Sequence, residues 1–147
     1  MIKVAGHWDL SWNTPIKEAE LWNFPLRDFG VAEWYMWPVS GIKHNERESV
    51  ALHERENLVD ILEENLDLPF VFMEPTNKVL GVHPIDMTDF THPEDALYVF
   101  GSAHYNPVAA GLPREGDHVV RLPTLHNAGV LWPHQVLVAA LYHRLVQ

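Results

Sequence analysis

Residues 96–102 read Ala96-Leu97-Tyr98-Val99-Phe100-Gly101-Ser102. Five apolar residues in a row, three of them aromatic or β-branched and closed by Gly, have the composition of a strand buried on both faces. A second run lies downstream, His118-Val119-Val120-Arg121-Leu122, ended by Pro123-Thr124. Upstream lie Leu68-Pro69-Phe70-Val71-Phe72-Met73, the aromatic stretch Ala32 to Trp37 closed by Pro38, and Ile2 to Ala5. Segments with helical signals separate these runs. Thr14 is a plausible N-cap, with Pro15 in the first turn and Lys17-Glu18 beside it. Ile16, Ala19 and Trp22 then supply an apolar face. Pro25 should kink or shorten this helix, and Gly30 should end it. The spacing of Val50, Leu58, Ile61, Leu62 and Leu66 predicts the clearest helix over 46–66. Pro84 is expected to open a short helical turn through Phe90. Pro133 is expected to open a last helix that buries Val136, Leu137, Ala140 and Leu141.

Apolar strands separated by helices or long crossings argue for an α/β domain. The expected architecture is a mainly parallel sheet of five to six strands with helices on both faces. Ligands in such sheets bind beyond the carboxyl ends of the strands. Those ends fall here at Gly6-His7, Pro38, Met73-Glu74, Gly101-Ser102 and Pro123-Thr124.

The chain has 147 residues, 47% of them hydrophobic and six of them Trp, enough for one domain over 1–147 with a core of its own. With no cysteine, it has no disulfide framework, thiol nucleophile or thiolate metal site. No window approaches the ~20 apolar residues of a membrane span. The first seven residues lack the apolar core of a signal peptide. A cytoplasmic protein is therefore expected. The net charge of −10 opposes simple electrostatic binding of nucleic acid, but it is uneven. Every Asp and Glu lies at or before Asp117, and the last thirty residues carry Arg121, Arg144 and four histidines.

From Ala96 onward the order is a strand ending in Gly101, a strand ending in Leu122-Pro123, and the helix Pro133-His134-Gln135-Val136-Leu137-Val138-Ala139-Ala140-Leu141-Tyr142. In order and spacing this resembles the C-terminal half of the SpoU branch of the SPOUT RNA methyltransferases. The resemblance implies a C-terminal trefoil knot and a homodimer joined through the last helix. It implies S-adenosylmethionine as cofactor and tRNA or rRNA as substrate, methylated on a ribose 2′-hydroxyl or a base. Met73, Gly101, Ser102, Leu122, Pro123, Thr124, Leu131 and Gln135 would then line the cofactor site, with Val130 beside Leu131.

The family pairs an Asn after the first strand with an Arg six residues on. Asn13 stands in that region, but six residues on is Ala19, with Arg27 further down the helix. The Glu that usually follows the Gly of the fourth strand is absent from Gly101-Ser102-Ala103-His104-Tyr105-Asn106. These departures leave room for a knotted dimer that binds without catalysing. Asn13, Arg27 and His104 are the candidate catalytic residues, His104 as a general base near neutral pH. His126 is a second loop histidine of the same kind. Tyr105 could stack on a base. The ten histidines show no metal-binding spacing, and no metal is expected. The chain also lacks a Gly-rich phosphate loop and a Gly-x-Ser-x-Gly elbow, against dinucleotide-binding and hydrolase readings.

Overall fold

The computed structural model describes residues 1–9, 15–41, 50–74, 79–126 and 131–147. In chain order the elements are β1 (Ile2–His7), α1 (Pro15–Asp28), β2 (Glu33–Trp37), β3 (Leu52–Glu54), α2 (Leu58–Glu63), β4 (Phe70–Met73), β5 (Ile85–Asp86), β6 (Ala96–Phe100), β7 (His118–Arg121) and α3 (Pro133–Val146). A single 3-10 turn, Met87–Asp89, follows β5.

The seven strands form one sheet in the order β3-β2-β1-β6-β4-β7-β5, and every pairing is parallel. The central strands are buried on both faces, which is why they read as unbroken apolar runs. Alternate residues feed two cores. Val4, Trp34, Met36, Val71, Tyr98 and Phe100 cluster with Ala19, Trp22 and Leu26 of α1 and Val136, Leu137, Ala140 and Leu141 of α3. Ala5, Tyr35, Trp37, Phe72, Leu97 and Val99 cluster with Leu58, Ile61 and Leu62 of α2 and with Val108. Helices thus cover both faces. The β6 bounds fall where the apolar run 96–100 places them, and the sheet has seven strands rather than five to six.

Three expectations about the elements change. The helix over 46–66 is not formed from Val50 onward: Leu52–Glu54 is an edge strand beside β2, and α2 begins only at Leu58. The side chain of Asn57 accepts from the Asp60 N–H at 3.0 Å, capping α2 there. Pro84 leads into the two-residue strand β5 before the helical turn. Helix α1 continues past Pro25 to Asp28.

The face that α1 buries also differs. Glu18, Trp22 and Leu26 lie four residues apart, so they share one stripe and all are buried, whereas Ile16 is 63% exposed. Burial of Trp22 and Leu26, roughly 1.5–3 kcal/mol each, outweighs the loss of one isoleucine at the helix end. The same rotation carries the Glu18 carboxyl inward. Gly6 makes the packing possible, because a Cβ there would lie 2.5 Å from Trp22 Cη2 and 2.9 Å from Met36 Sδ.

Candidate functional site

The carboxyl ends of β1, β4 and β6 open onto a cavity of about 380 Å³, closed by the first half of α1 and the start of α3. This is the position at which open parallel sheets hold ligands, and the volume suits a small organic molecule. Met73, Phe100 and Val136 form an apolar wall. Leu131, Trp132, Pro133 and His134 bring the entry of α3 to it. His7, Asp9, Glu18 and Trp22 close the opposite side. The loop after β6 supplies Gly101, Ser102, Ala103, Tyr105, Asn106 and Pro107.

That loop is tightly wound. Ser102 N–H donates to the Tyr105 carbonyl at 2.9 Å, and Tyr105 N–H to the Ser102 carbonyl at 3.3 Å. Asn106 Oδ1 accepts from the N–H groups of Val108 and Ala109. A Cβ on Gly101 would sit 2.3 Å from the Tyr105 carbonyl oxygen and 2.8 Å from Pro107 Cδ. Only glycine lets the loop close back on the end of β6.

Several ionisable groups meet at the cavity. His7 Nδ1 is 2.7 Å from Ser102 Oγ, which also accepts from His104 N–H at 3.1 Å. The His7 ring stacks on Tyr105, with centroids 5.6 Å apart. Burial, helped by the charge of His104 and opposed by Asp9, holds the His7 imidazole below its usual range and so neutral near pH 7. Glu18 is 3% exposed. Its Oε1 accepts from Asp9 N–H at 2.7 Å, and among the described residues its Oε2 has no hydrogen-bond partner. Burial pushes the Glu18 carboxyl up to about 7, and the Asp9 charge adds to the rise against the pull of the Asp9 N–H. His134 is buried edge-on to the rings of Trp22 and Trp132, and burial lowers its basicity. Among the described residues no Lys or Arg lines the cavity.

The candidates from sequence fall into three groups. Met73, Gly101, Ser102 and Leu131 come together at the cavity. His104 stands on its rim, its side chain 62% exposed with Nε2 3.7 Å from Asp9 Oδ1. The other described candidates are not part of the lining. Arg27 lies at the far end of α1, pairing with Asp28 at 3.6 Å and resting over the Phe24 ring, because the helix carries it several turns from the sheet end. Gln135 spends its side chain on the helix, accepting from the Trp132 N–H at 2.9 Å. Leu122 packs against the core below β7. Pro123 after it is half-buried, and Thr124 and His126 are exposed. Asn13 and Val130 lie outside the described residues, as does the Thr14 cap.

His7, Glu18, Trp22, Trp132 and His134 were not singled out from sequence. The signal for His7 was its place at the end of β1. Glu18 reads as an ordinary first-turn acid, and only the rotation of α1 reveals it. Among the described residues no three His, Asp or Glu side chains are grouped to hold a metal. Nor is any helix long and apolar enough to cross a membrane.

No family model matches the chain, and no curated protein matches it. Solved structures do. The A. aeolicus TrmH/SpoU tRNA modifying enzyme superposes with a TM-score of 0.72 at 17% identity, over 99% of this chain and 74% of that one. A proposed RNA methyltransferase from Bacillus anthracis gives 0.71 at 14% identity, over 99% and 93%. The SpoU methyltransferase AviRb from Streptomyces viridochromogenes, solved with AdoMet, gives 0.69 at 13% identity, over 99% of this chain and 57% of that one. The chain has the SpoU/TrmH methyltransferase fold.

Proposed function

We propose that this chain, built on the SpoU/TrmH fold, is an S-adenosylmethionine-dependent methyltransferase acting on a nucleotide of tRNA or rRNA. The observation that carries the reading is the cavity at the ends of β1, β4 and β6, where the fold brings Met73, Gly101, Ser102 and Leu131 together.

The residues fit the cofactor. The cavity has the size for part of a nucleoside-bearing ligand. Its walls are apolar, its loop offers backbone groups for a heterocycle, and its two carboxylates suit a cation. Met73, the turn 101–102 and Leu131 would hold it, with Leu122, Pro123, Thr124 and Gln135 on the adjoining surface. When bound, S-adenosylmethionine supplies an electrophilic methyl group. The chain's task is to place the acceptor and receive its proton. His7 is suited to that, being neutral, recessed and oriented. With the proton on Nδ1 it donates to Ser102 Oγ and leaves Nε2 as the basic nitrogen. His104 and Asp9, on the rim, would contact the incoming nucleotide, with Asn13 nearby in sequence. Arg27 takes no part in this scheme. The reaction is ribose 2′-O-methylation in the first instance, since a hydroxyl needs such a base.

Two chains would form the working unit. Val138, Tyr142 and Leu145 recur at helical spacing on the outer side of α3, and all three are exposed, Tyr142 by 58%. This stripe supports a homodimer through the last helix. The knot expected at the C-terminus belongs to the same reading, as does a cytoplasmic location beside the RNA.

Transfer of a labelled methyl group from S-adenosylmethionine to bulk tRNA and rRNA tests the proposal. Label in RNA that disappears with His7→Ala supports it. Cofactor binding without transfer to any RNA would instead favour a knotted binding protein, which the absence of arginine from the described residues of the cavity lining independently motivates.

A further inference from the structure

Among the described residues the cavity carries acid and no base stronger than histidine. Of its lining side chains two are carboxylates, Asp9 and Glu18, and among the described residues none is Lys or Arg. That is the wrong polarity for a phosphate. Trp22 and Trp132 line the same cavity, and aromatic rings together with a carboxylate make the chemistry that recognises a soft organic cation. Glu18 is 3% exposed, and among the described residues its Oε2 has no hydrogen-bond partner. A buried carboxylate left half-satisfied is costly unless a ligand completes it.

We propose that Glu18 is the counter-charge for the sulfonium of S-adenosylmethionine, and that it makes the cavity prefer this cation to its neutral demethylated product. The proposal rests on the cofactor reading above and goes beyond it. A site that holds the cation but not the thioether releases spent cofactor, so Glu18 would favour turnover as well as binding.

The two ligands share adenosine, amino group and carboxylate. They differ only in the methyl group and the positive charge, so their affinity ratio isolates this interaction. The other ionisable side chains lining the cavity are His7 and Asp9 from β1 and the turn after it, His134 from α3 and Tyr105 from the loop after β6, with His104 on the rim against Asp9. The histidines at the cavity wall, His7 and His134, are held neutral by burial, so Asp9 is the main charge acting on Glu18. With its carboxyl raised to about 7, Glu18 is partly protonated in neutral solution and must lose that proton to meet a cation.

Isothermal titration of the full chain with S-adenosylmethionine and with S-adenosylhomocysteine reads this directly. At about pH 8 the wild type should bind the sulfonium at least about 10-fold more tightly, and the ratio should shrink at about pH 6. Glu18→Gln, with unchanged circular dichroism, should bind both equally. In buffers of different ionisation enthalpy near pH 7, the wild type should release a proton to S-adenosylmethionine and none to S-adenosylhomocysteine. This second readout decides the matter even if the variant fails to fold. Equal binding of both ligands by the wild type, or a preference retained in Glu18→Gln, overturns the role of Glu18 and leaves the cofactor reading standing. Binding of neither ligand overturns both.

Discussion

His7 Nδ1 lies 2.7 Å from Ser102 Oγ and ties the carboxyl ends of β1 and β6, two adjacent central strands, into one side of the cavity. Because burial lowers the His7 pKa, its ring should titrate below 6.5. The neutral form is favoured in the fold, so it persists to lower pH than in an exposed histidine. NMR titration of the His7 ring checks this; a midpoint at or above 6.5 contradicts it. His7→Ala should lower methyl transfer by about 10²-fold or more, and should leave S-adenosylmethionine affinity within a few-fold.

Gly101→Ala should damage the loop more than its size suggests. The new Cβ meets a backbone carbonyl at 2.3 Å, which cannot swing aside as a side chain would. The Ser102–Tyr105 pairing must open. We expect a loss of about 1–3 kcal/mol in urea unfolding and a marked fall in cofactor affinity. An unchanged unfolding midpoint would argue against the tight turn.

Arg114 and Asp117 clamp the other end of the sheet. Arg114 donates to both carboxylate oxygens of Asp117 and to the carbonyls of Leu66 and Leu68, and its guanidinium lies 3.8 Å from the Phe70 ring centroid. Asp117 Oδ1 also accepts the Phe70 N–H at the start of β4. Asp117→Ala strips three groups at once and should cost about 2–3 kcal/mol. Arg114 is partly exposed, so Arg114→Ala should cost less, about 1–2 kcal/mol. Urea midpoints should rank the two in that order.

Stability should fall in mild acid. His92 Nδ1 is 2.6 Å from the Tyr98 hydroxyl, and its Nε2 is 2.8 Å from His143 Nδ1. Burial, with the charges of His143 and Arg144, lowers His92 from 6.5 to about 4. Between these values the unfolded chain binds a proton there and the folded chain does not. Stability is therefore full above 6.5 and is lost as pH falls towards 4, by on the order of 2 kcal/mol. His92→Asn should flatten this slope in urea titrations at pH 7 and 5.

The exposed stripe on α3 predicts the association state. Tyr142→Glu combined with Val138→Asp should turn a dimer into a monomer in sedimentation equilibrium, with the monomer's fold intact. A wild type that is monomeric at micromolar concentration contradicts the dimer.

The strands were legible because a parallel sheet buries both faces, so Ala96–Phe100 and Phe70–Met73 stand out as unbroken apolar runs. The edge strands were not. Leu52-His53-Glu54 is only half-buried and shares a helical-looking spacing with residues that serve two different cores: Val50 packs with one, and Leu58 and Ile61 with the other. The strand ends at Met73 and Gly101-Ser102 were legible in the same way, and all three residues line the cavity. Glu18 was hidden because a helix's rotation is set by the sum of its burial. Trp22 and Leu26 decide that sum, and no local signal in residues 15–18 reveals it.

The most direct test of the cofactor site is an amide NMR titration of the full chain with S-adenosylmethionine. Saturable shifts centred on Gly101 to Tyr105 and on Leu131 to Val136 are expected. No shifts at millimolar ligand, or shifts confined to surfaces away from the ends of β1, β4 and β6, would contradict the proposed function.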